Sequence, residues 1–258
     1  MSPRRRLLLA GVAGVLVVVA SVVIGARVLR GGGDDGVRPD QTRPGIVLLV
    51  PGYGGGRAAL SVLAGRLGED GRTARVVTLP GEGTGDLYEQ AGALDGAVRQ
   101  ALREAGGSVD VVGYSAGGVV TRLWVDRYDG ARVARRVVTL GSPLHGTRIA
   151  GEGAALAPDA CPAACRQLVP GSALLREIDE SLPDGLPWLS IWTEDDETVQ
   201  PPDSARLAGA VNVPLQSVCP RARVSHGDLP TDPRVSALVV AALGVEPLAA
   251  PTACPGGG

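Results

Sequence analysis

The chain has no lysine and no phenylalanine, and only one methionine and two histidines among its 258 residues. All 25 basic residues are therefore arginine, and with 27 acidic residues the formal net charge is −2. Since a basic excess is the signature of nucleic-acid binding, no nucleic-acid partner is expected. Without phenylalanine, a core must be built from valine, leucine, alanine and isoleucine.

The N-terminus carries an uncharged stretch from Leu7 to Ala26 behind three arginines at positions 4–6. Its 20 residues are long enough to cross a bilayer as a helix. We expect an uncleaved membrane anchor with the remaining chain outside the membrane. The alternative is a secretory signal peptide, cleaved near the small-residue site Val18–Ala20. Either reading predicts an extracytoplasmic protein, membrane-anchored or secreted.

Four segments follow from this organisation. Residues 1–30 are the anchor or signal peptide, 31–43 a flexible linker, 44–248 the catalytic domain, and 249–258 a C-terminal tail tethered by Cys254. The length of the third segment is typical of one α/β domain with a sizeable core.

The four cysteines form an even set, which agrees with export to an oxidising compartment. Four cysteines allow three pairings. The short spacing of Cys161 and Cys165 favours a local bridge, which leaves Cys219 to tie down the tail at Cys254. Zinc is the rival interpretation, but the second pair is too widely spaced for an ordinary zinc site. No metal and no organic cofactor are expected.

The pattern G-x-S-x-G occurs at Gly113–Gly117, after the apolar run Val109–Val112 and before a helix-compatible stretch. A strand, a sharp turn and a helix around this pattern are the context of a nucleophile elbow. Ser115 is therefore the predicted nucleophile. A serine hydroxyl needs a base to take its proton, and histidine is the usual base.

Only His226 and His145 can supply that base. His226 stands in a polar loop before the last predicted helix, where the order serine, acid, histidine puts the catalytic base. His145 follows the strand ending at Leu140, which is too early for that order. We expect His226 to be catalytic and His145 to be an ordinary hydrogen-bonded residue.

The acid is expected at the end of the next-to-last strand, where four consecutive acids occupy positions 194–197. Asp196 is the best candidate because Val199 can anchor the loop while the carboxylate aims inward. Asp195 is the alternative. The acid would hold His226 in the right tautomer and stabilise its imidazolium.

An oxyanion hole requires two backbone N–H donors. One is expected from Ala116, directly after the nucleophile, and one from the glycine-rich loop after the first strand, where Tyr53 is the candidate.

Apolar runs and helix-compatible stretches alternate, which favours an α/β fold with a mostly parallel sheet and helices on both faces. The predicted strands are Ile46–Val50, Arg75–Leu79, Val109–Val112, Val137–Leu140, Leu186–Trp192 and Val211–Val218. The predicted helices are Ala58–Leu67, Leu87–Ala105, Val119–Tyr128, Ser204–Leu207 and Pro233–Leu243. About 45 residues between the fourth and fifth strands form an insertion, expected to be a short disulfide-pinned rim near the active site.

Several motifs together resemble the bacterial α/β-hydrolases of the secreted lipase/esterase group, close to class 2 and actinobacterial lipases. The resemblance covers roughly residues 44–243 and is carried by five stretches: Val50–Gly55, Gly113–Gly118, Thr139–Thr147, Asp196–Val199 and Ser225–Gly227. It implies the α/β-hydrolase fold, the triad Ser115, Asp196 and His226, and an oxyanion hole at Tyr53 and Ala116. One departure is Pro51, where many relatives carry histidine.

The expected activity is hydrolysis of acyl or lipid esters by a serine carboxylic-ester hydrolase, acting as a monomer. An acyltransferase would use the same triad with a sugar or lipid alcohol as acceptor, and the sequence does not separate the two. A third alternative is an inactive hydrolase fold that serves as an anchored binding module. The three triad residues speak against that reading.

Overall fold

A computed structural model of the protein describes residues 38–178 and 182–256. Six strands form one parallel sheet in the order β2-β1-β3-β4-β5-β6. The strands are β1 (Ile46–Val50), β2 (Ala74–Val76), β3 (Val109–Tyr114), β4 (Ala134–Leu140), β5 (Trp188–Trp192) and β6 (Val211–Pro214).

The helices are α1 (Ala58–Glu69), α2 (Leu87–Ala105), α3 (Ala116–Arg127), α4 (Arg148–Leu156), α5 (Ala163–Gln167), α6 (Ala173–Glu177), α7 (Leu215–Val218) and α8 (Pro233–Ala242). Short 3₁₀ helices lie at Pro80–Gly83, Gly130–Arg132, Pro158–Ala160 and Pro202–Ala205.

Helices cover both faces of the sheet, and the strand β1 is apolar and buried along its whole length. In β1, Ile46, Leu48 and Val50 belong to one core cluster and the two residues between them to the other. The first cluster contains the apolar faces of α2 and α3. The second contains those of α1 and α8. Side chains of a strand alternate between faces, so a continuous apolar run is what a strand covered on both sides requires.

A buried ionic cluster holds the end of α8 against the sheet. Asp110 and Arg135 are fully buried and form an ion pair at 2.7 Å. Arg135 also donates to the carbonyl oxygens of Leu243 and Gly244, which follow α8. The carbonyls at a helix end lack partners within the helix, so a cation there satisfies them and offsets the negative end of the helix dipole.

Three predicted elements differ substantially from the structure. The strand predicted for Arg75–Leu79 is the three-residue strand β2, Ala74–Val76. The strand predicted for Val211–Val218 ends at Pro214 and continues as helix α7. Proline has no N–H for the sheet ladder, so Pro214 is a natural place for the strand to stop. The helix predicted for Ser204–Leu207 is instead the 3₁₀ turn Pro202–Ala205, which begins after Pro201.

Part of the predicted linker is fastened to the folded unit. Arg38 donates to the carbonyl of Ala131 at 2.7 Å, and Gln41 donates to that of Arg135 at 3.1 Å. The predicted membrane helix at Leu7–Ala26 lies outside the residues that the structure describes. Among the described residues, no helix is long and apolar enough to span a bilayer.

Candidate active site

The site lies at the carboxyl edge of the sheet, where the loops after β1, β3 and β5 meet. The chain runs from β1 outward to β2 and then returns to β3 on the other side of β1. Such a reversal of strand order opens a crevice at the carboxyl ends of the strands, which is where parallel sheets bind ligands. The glycine-rich loop at 51–56 follows β1, and Ser115 follows β3.

Ser115 occupies a strained turn between β3 and α3. Its φ is 53° and its ψ is −129°, a conformation that L-residues rarely adopt. The turn is held because the Ser115 N–H donates to the Leu140 carbonyl at 2.8 Å and the Ser115 carbonyl accepts from Gly118 at 2.9 Å. The Ser115 hydroxyl makes no cap hydrogen bond to the helix that begins at Ala116.

Glycine is required on the far side of this turn. A β-carbon added to Gly117 would lie 2.2 Å from the carbonyl oxygen of Val50. No rotation relieves such a backbone clash, so helix α3 can approach β1 this closely only with glycine at that position.

The three predicted triad residues are brought together. His226 Nε2 lies 3.0 Å from Ser115 Oγ, and His226 Nδ1 lies 2.7 Å from Asp196 Oδ2. Their exposed fractions are 9% for Ser115, 5% for His226 and 2% for Asp196. Since the carboxylate accepts the Nδ1 proton, Nε2 is left with a lone pair toward the serine hydroxyl. The arrangement can accept a proton from Ser115.

Asp196 is held by its own loop. Its second carboxylate oxygen, Oδ1, accepts from the N–H groups of Thr198 at 2.9 Å and Val199 at 2.7 Å. Val199 is buried, which anchors the loop. Asp195, the alternative acid, is exposed and faces Gln216 at 3.4 Å and Arg223 at 3.9 Å. Of the two, Asp196 therefore contacts His226.

His145 lies in a supporting loop. It is exposed, and its Nδ1 is 3.1 Å from the carbonyl oxygen of Ser204. Nearby, the Thr147 hydroxyl donates to the Thr198 carbonyl at 2.9 Å and accepts from Gln200 at 3.0 Å. The loop after β4 thus braces the loop that carries Asp196.

The glycine-rich loop runs directly beside the serine. A β-carbon at Gly52 would lie 2.8 Å from Ser115 Cβ and 3.4 Å from its Oγ. Tyr53 follows, with 46% of its surface exposed. Within the residues described, the backbone N–H groups of Tyr53 and Ala116 donate no hydrogen bond to the protein.

Sequence reasoning missed two residues next to His226. The Tyr114 hydroxyl donates to the His226 carbonyl at 3.2 Å, and Glu197 Oε2 accepts from the His226 N–H at 3.0 Å. Burial and the charges of nearby carboxylates raise the pKa of Tyr114 to about 12. Each residue adjoins a predicted triad member in sequence, and that adjacency is the only signal that could have identified it.

The insertion between β4 and β5, residues 141–187, carries α4, α5 and α6 and the cystine Cys161–Cys165. It is fastened to the start of α2 by Gln167, which accepts from the Leu87 N–H and donates to Asp86, both at 2.8 Å. The prediction of a disulfide-pinned insertion is confirmed.

The second cystine joins Cys219, just after α7, to Cys254 in the tail. Cys219 lies seven positions before His226, so this bridge constrains the segment that leads to the histidine. None of the cysteines in the described part of the chain is a free thiol, so the four-thiolate zinc alternative is excluded in this state.

The fold is shared with solved lipase structures. Lipase B of Aspergillus fumigatus superposes with a TM-score of 0.67 at 22% identity, over 83% of this chain and 58% of that one. The mature lipase BlEst2 of Bacillus licheniformis gives a TM-score of 0.63 at 18% identity, over 82% of this chain and 96% of that one.

The propeptide form of the same Bacillus lipase superposes with a TM-score of 0.65 at 18% identity, over 84% of this chain and 54% of that one. This chain therefore spans little more than half the length of the fungal lipase and of the Bacillus propeptide form. No protein-family model and no curated protein matches the sequence. The similarity identifies the fold: the chain has the α/β-hydrolase fold, with a parallel sheet, helices on both faces and a disulfide-pinned insertion.

Proposed function

We propose that this protein is a serine ester hydrolase that cleaves acyl or lipid esters through Ser115, His226 and Asp196. The observation that carries the proposal is the continuous hydrogen-bonded series from Asp196 Oδ2 through both ring nitrogens of His226 to Ser115 Oγ. A serine at a strained strand-to-helix turn, with a base and an orienting acid in line, is the arrangement that activates a hydroxyl as a nucleophile.

The first half of the reaction is acylation. Ser115 Oγ attacks the ester carbonyl carbon while His226 Nε2 takes the hydroxyl proton, and Asp196 stabilises the imidazolium that forms. The N–H groups of Tyr53 and Ala116 receive the oxyanion of the tetrahedral intermediate, the role for which fixed donors contribute most to catalysis. The intermediate then collapses, the carbon–oxygen bond to the alcohol breaks, and His226 gives its proton to the departing alcohol.

Deacylation follows the same route with water. His226 Nε2 accepts a proton from water as the water oxygen attacks the acyl-serine carbonyl. Collapse of the second intermediate releases the acid and returns the proton to Ser115 Oγ. The protein supplies every group in this scheme, and no cofactor takes part.

We further propose that the reaction occurs outside the cytoplasm. Two cystines support this, because disulfides form and persist in oxidising compartments. The anchoring of the domain by Leu7–Ala26, its membrane association and a monomeric state remain part of the proposal.

Turnover of p-nitrophenyl esters of graded acyl length tests the function. We expect measurable hydrolysis with a preferred chain length and a loss of about 10⁴-fold or more in Ser115→Ala. The folded state of that variant is checked by circular dichroism. A Ser115→Ala protein that retained substantial activity would remove Ser115 from the mechanism. Adding a sugar or lipid alcohol and measuring the transfer product separates acyltransfer from hydrolysis.

A further inference from the structure

We propose that Tyr114 and Glu197 are positioning residues that hold the backbone of His226 from its two ends. This proposal rests on the function proposed above. In it, Tyr114 restrains the His226 carbonyl and Glu197 the His226 N–H, so that the imidazole stays in line between Ser115 and Asp196. Both residues act through the base.

Tyr114 joins the nucleophile to the base. It is the last residue of β3 and directly precedes Ser115. Its hydroxyl donates to the His226 carbonyl at 3.2 Å, and its ring centroid lies 5.2 Å from that of the imidazole, with the planes inclined by 31°. Because the strand that positions the serine also carries this contact, movement of the base relative to the nucleophile is restricted.

The Tyr114 hydroxyl is suited to be a permanent donor. The tyrosine is half-buried, and burial together with the charges of Asp196, Glu197 and Asp228 raises its pKa to about 12. A phenol with that pKa keeps its proton over the whole range in which an ester hydrolase works. The hydroxyl therefore remains able to donate over that range of pH.

Glu197 joins the acid to the base. Its Oε2 accepts from the His226 backbone N–H at 3.0 Å, while the preceding residue, Asp196, accepts from the ring. Hydrogen bonds to a carboxylate are stronger than neutral ones. Two consecutive residues of one loop thus hold both the side chain and the main chain of the histidine.

His226 needs such contacts because its segment has no helix or strand to support it. The loop contains local bonds, from the Leu229 N–H to the His226 carbonyl at 3.3 Å and from the Ser225 hydroxyl to Asp228 at 2.6 Å. These bonds stay within the loop. Only contacts from other elements, such as those of Tyr114 and Glu197, can place the loop relative to Ser115.

The size of the effect follows from catalytic geometry. A misplacement of about 1 Å in a reacting group can cost about 10²-fold in rate. Loss of one of two backbone contacts should displace the base by less than that. We therefore expect Tyr114→Phe and Glu197→Ala each to lower kcat roughly threefold to tenfold, with KM within about twofold of wild type.

The test compares Tyr114→Phe, Glu197→Ala and Glu197→Gln, with Tyr128→Phe as a control. Tyr128 follows α3 at the end remote from Ser115, so its variant loses a tyrosyl hydroxyl without touching the base. Each kcat is measured per titrated active serine, and the labelling rate with a fluorophosphonate reports separately on activation of Ser115. Glu197→Gln keeps an acceptor for the His226 N–H and should retain activity within about twofold.

Several results would overturn the proposal. Tyr114→Phe and Glu197→Ala could lower the melting temperature alone and leave both kcat and the labelling rate unchanged. The control Tyr128→Phe could lower kcat as much as Tyr114→Phe does. For Glu197, a Gln variant as impaired as the Ala variant would reject the hydrogen-bond role. If Tyr114→Phe does not fold, the kcat values of Glu197→Ala and Glu197→Gln still test the proposal, because Glu197 is exposed. A wild-type protein that neither labels nor hydrolyses esters instead removes the proposed function itself, and the positioning roles with it.

Discussion

His226 Nε2 lies 3.0 Å from Ser115 Oγ, although 111 positions separate the two residues in the chain. The serine stands at the end of β3, and the histidine stands beyond β6, three strands away in the sheet. Because all strands are parallel, their following loops collect at one edge, and the base can reach back across that edge to the nucleophile. Mutations that affect either residue should therefore converge on the same chemical step.

The two histidines should behave differently when removed. His226→Ala loses the imidazole that lies 3.0 Å from Ser115 Oγ and should lower kcat about 10⁴-fold or more. His145→Ala loses a contact to the Ser204 carbonyl and should change kcat by less than about threefold, with a small loss of stability. Steady-state kinetics on both purified variants decides the assignment, which would be reversed if His145→Ala were inactive and His226→Ala active.

The adjacent acids provide a matched pair. Asp196→Asn keeps the shape of the side chain but replaces the carboxylate that faces His226 Nδ1 with an uncharged amide. We therefore expect kcat to fall roughly 10³- to 10⁴-fold. Asp195→Asn should leave kcat nearly unchanged, because that exposed carboxylate faces Gln216 and Arg223. Equal kcat values for the two variants would count against Asp196 as the orienting acid.

The two cystines should contribute unequally to stability. Their sequence separations are 4 for Cys161–Cys165 and 35 for Cys219–Cys254. Because a disulfide restricts the unfolded chain, the first should contribute about 2 kcal/mol to the free energy of unfolding and the second about 4 kcal/mol. Urea unfolding of the paired serine variants measures both values.

The longer bridge should also matter for activity. Replacing Cys219 and Cys254 with serine frees the segment that leads to His226, so kcat should fall in a variant that is still folded. Replacing Cys161 and Cys165 should leave kcat closer to wild type. The reverse order would show that the insertion, and not the histidine segment, depends on its disulfide.

Tyr114 should make the free energy of unfolding fall at high pH. Its pKa is about 12 in the folded protein, above its usual value of 10.0. The folded state binds this proton more tightly, so the stabilisation is complete below pH 10 and is lost as the pH rises through about 12. The free energy of unfolding of wild type should exceed that of Tyr114→Phe most below pH 10 and approach it near pH 12. A difference that widened with pH would contradict the assignment.

The sequence predicts the sheet well, and it places the candidate triad, because the signals for both are local. Continuous apolar runs mark strands buried on both faces, and the G-x-S-x-G pattern between a strand and a helix marks the turn at Ser115. Because the chain has only two histidines, only two residues are candidates for the base, and their order in the chain favours His226. The cystines followed from spacing alone.

The remaining features depend on tertiary contacts that no local pattern encodes. The apolar residues of Leu215–Val218 suit either a strand or a helix, and Pro214 ended the strand. The roles of Tyr114 and Glu197 depend on where the His226 loop lies in space, which their own neighbours in sequence do not reveal. The three helices of the insertion are short, so their apolar periodicity was too brief to predict.

The central claim is that Ser115 is a nucleophile activated by His226, and active-site labelling tests it most directly. Wild-type protein is treated with a fluorophosphonate, digested, and mapped by mass spectrometry. The account predicts one phosphonyl adduct, on Ser115, with no adduct in Ser115→Ala and labelling slowed by orders of magnitude in His226→Ala. An adduct on another residue, or equal labelling of wild type and Ser115→Ala, would contradict it.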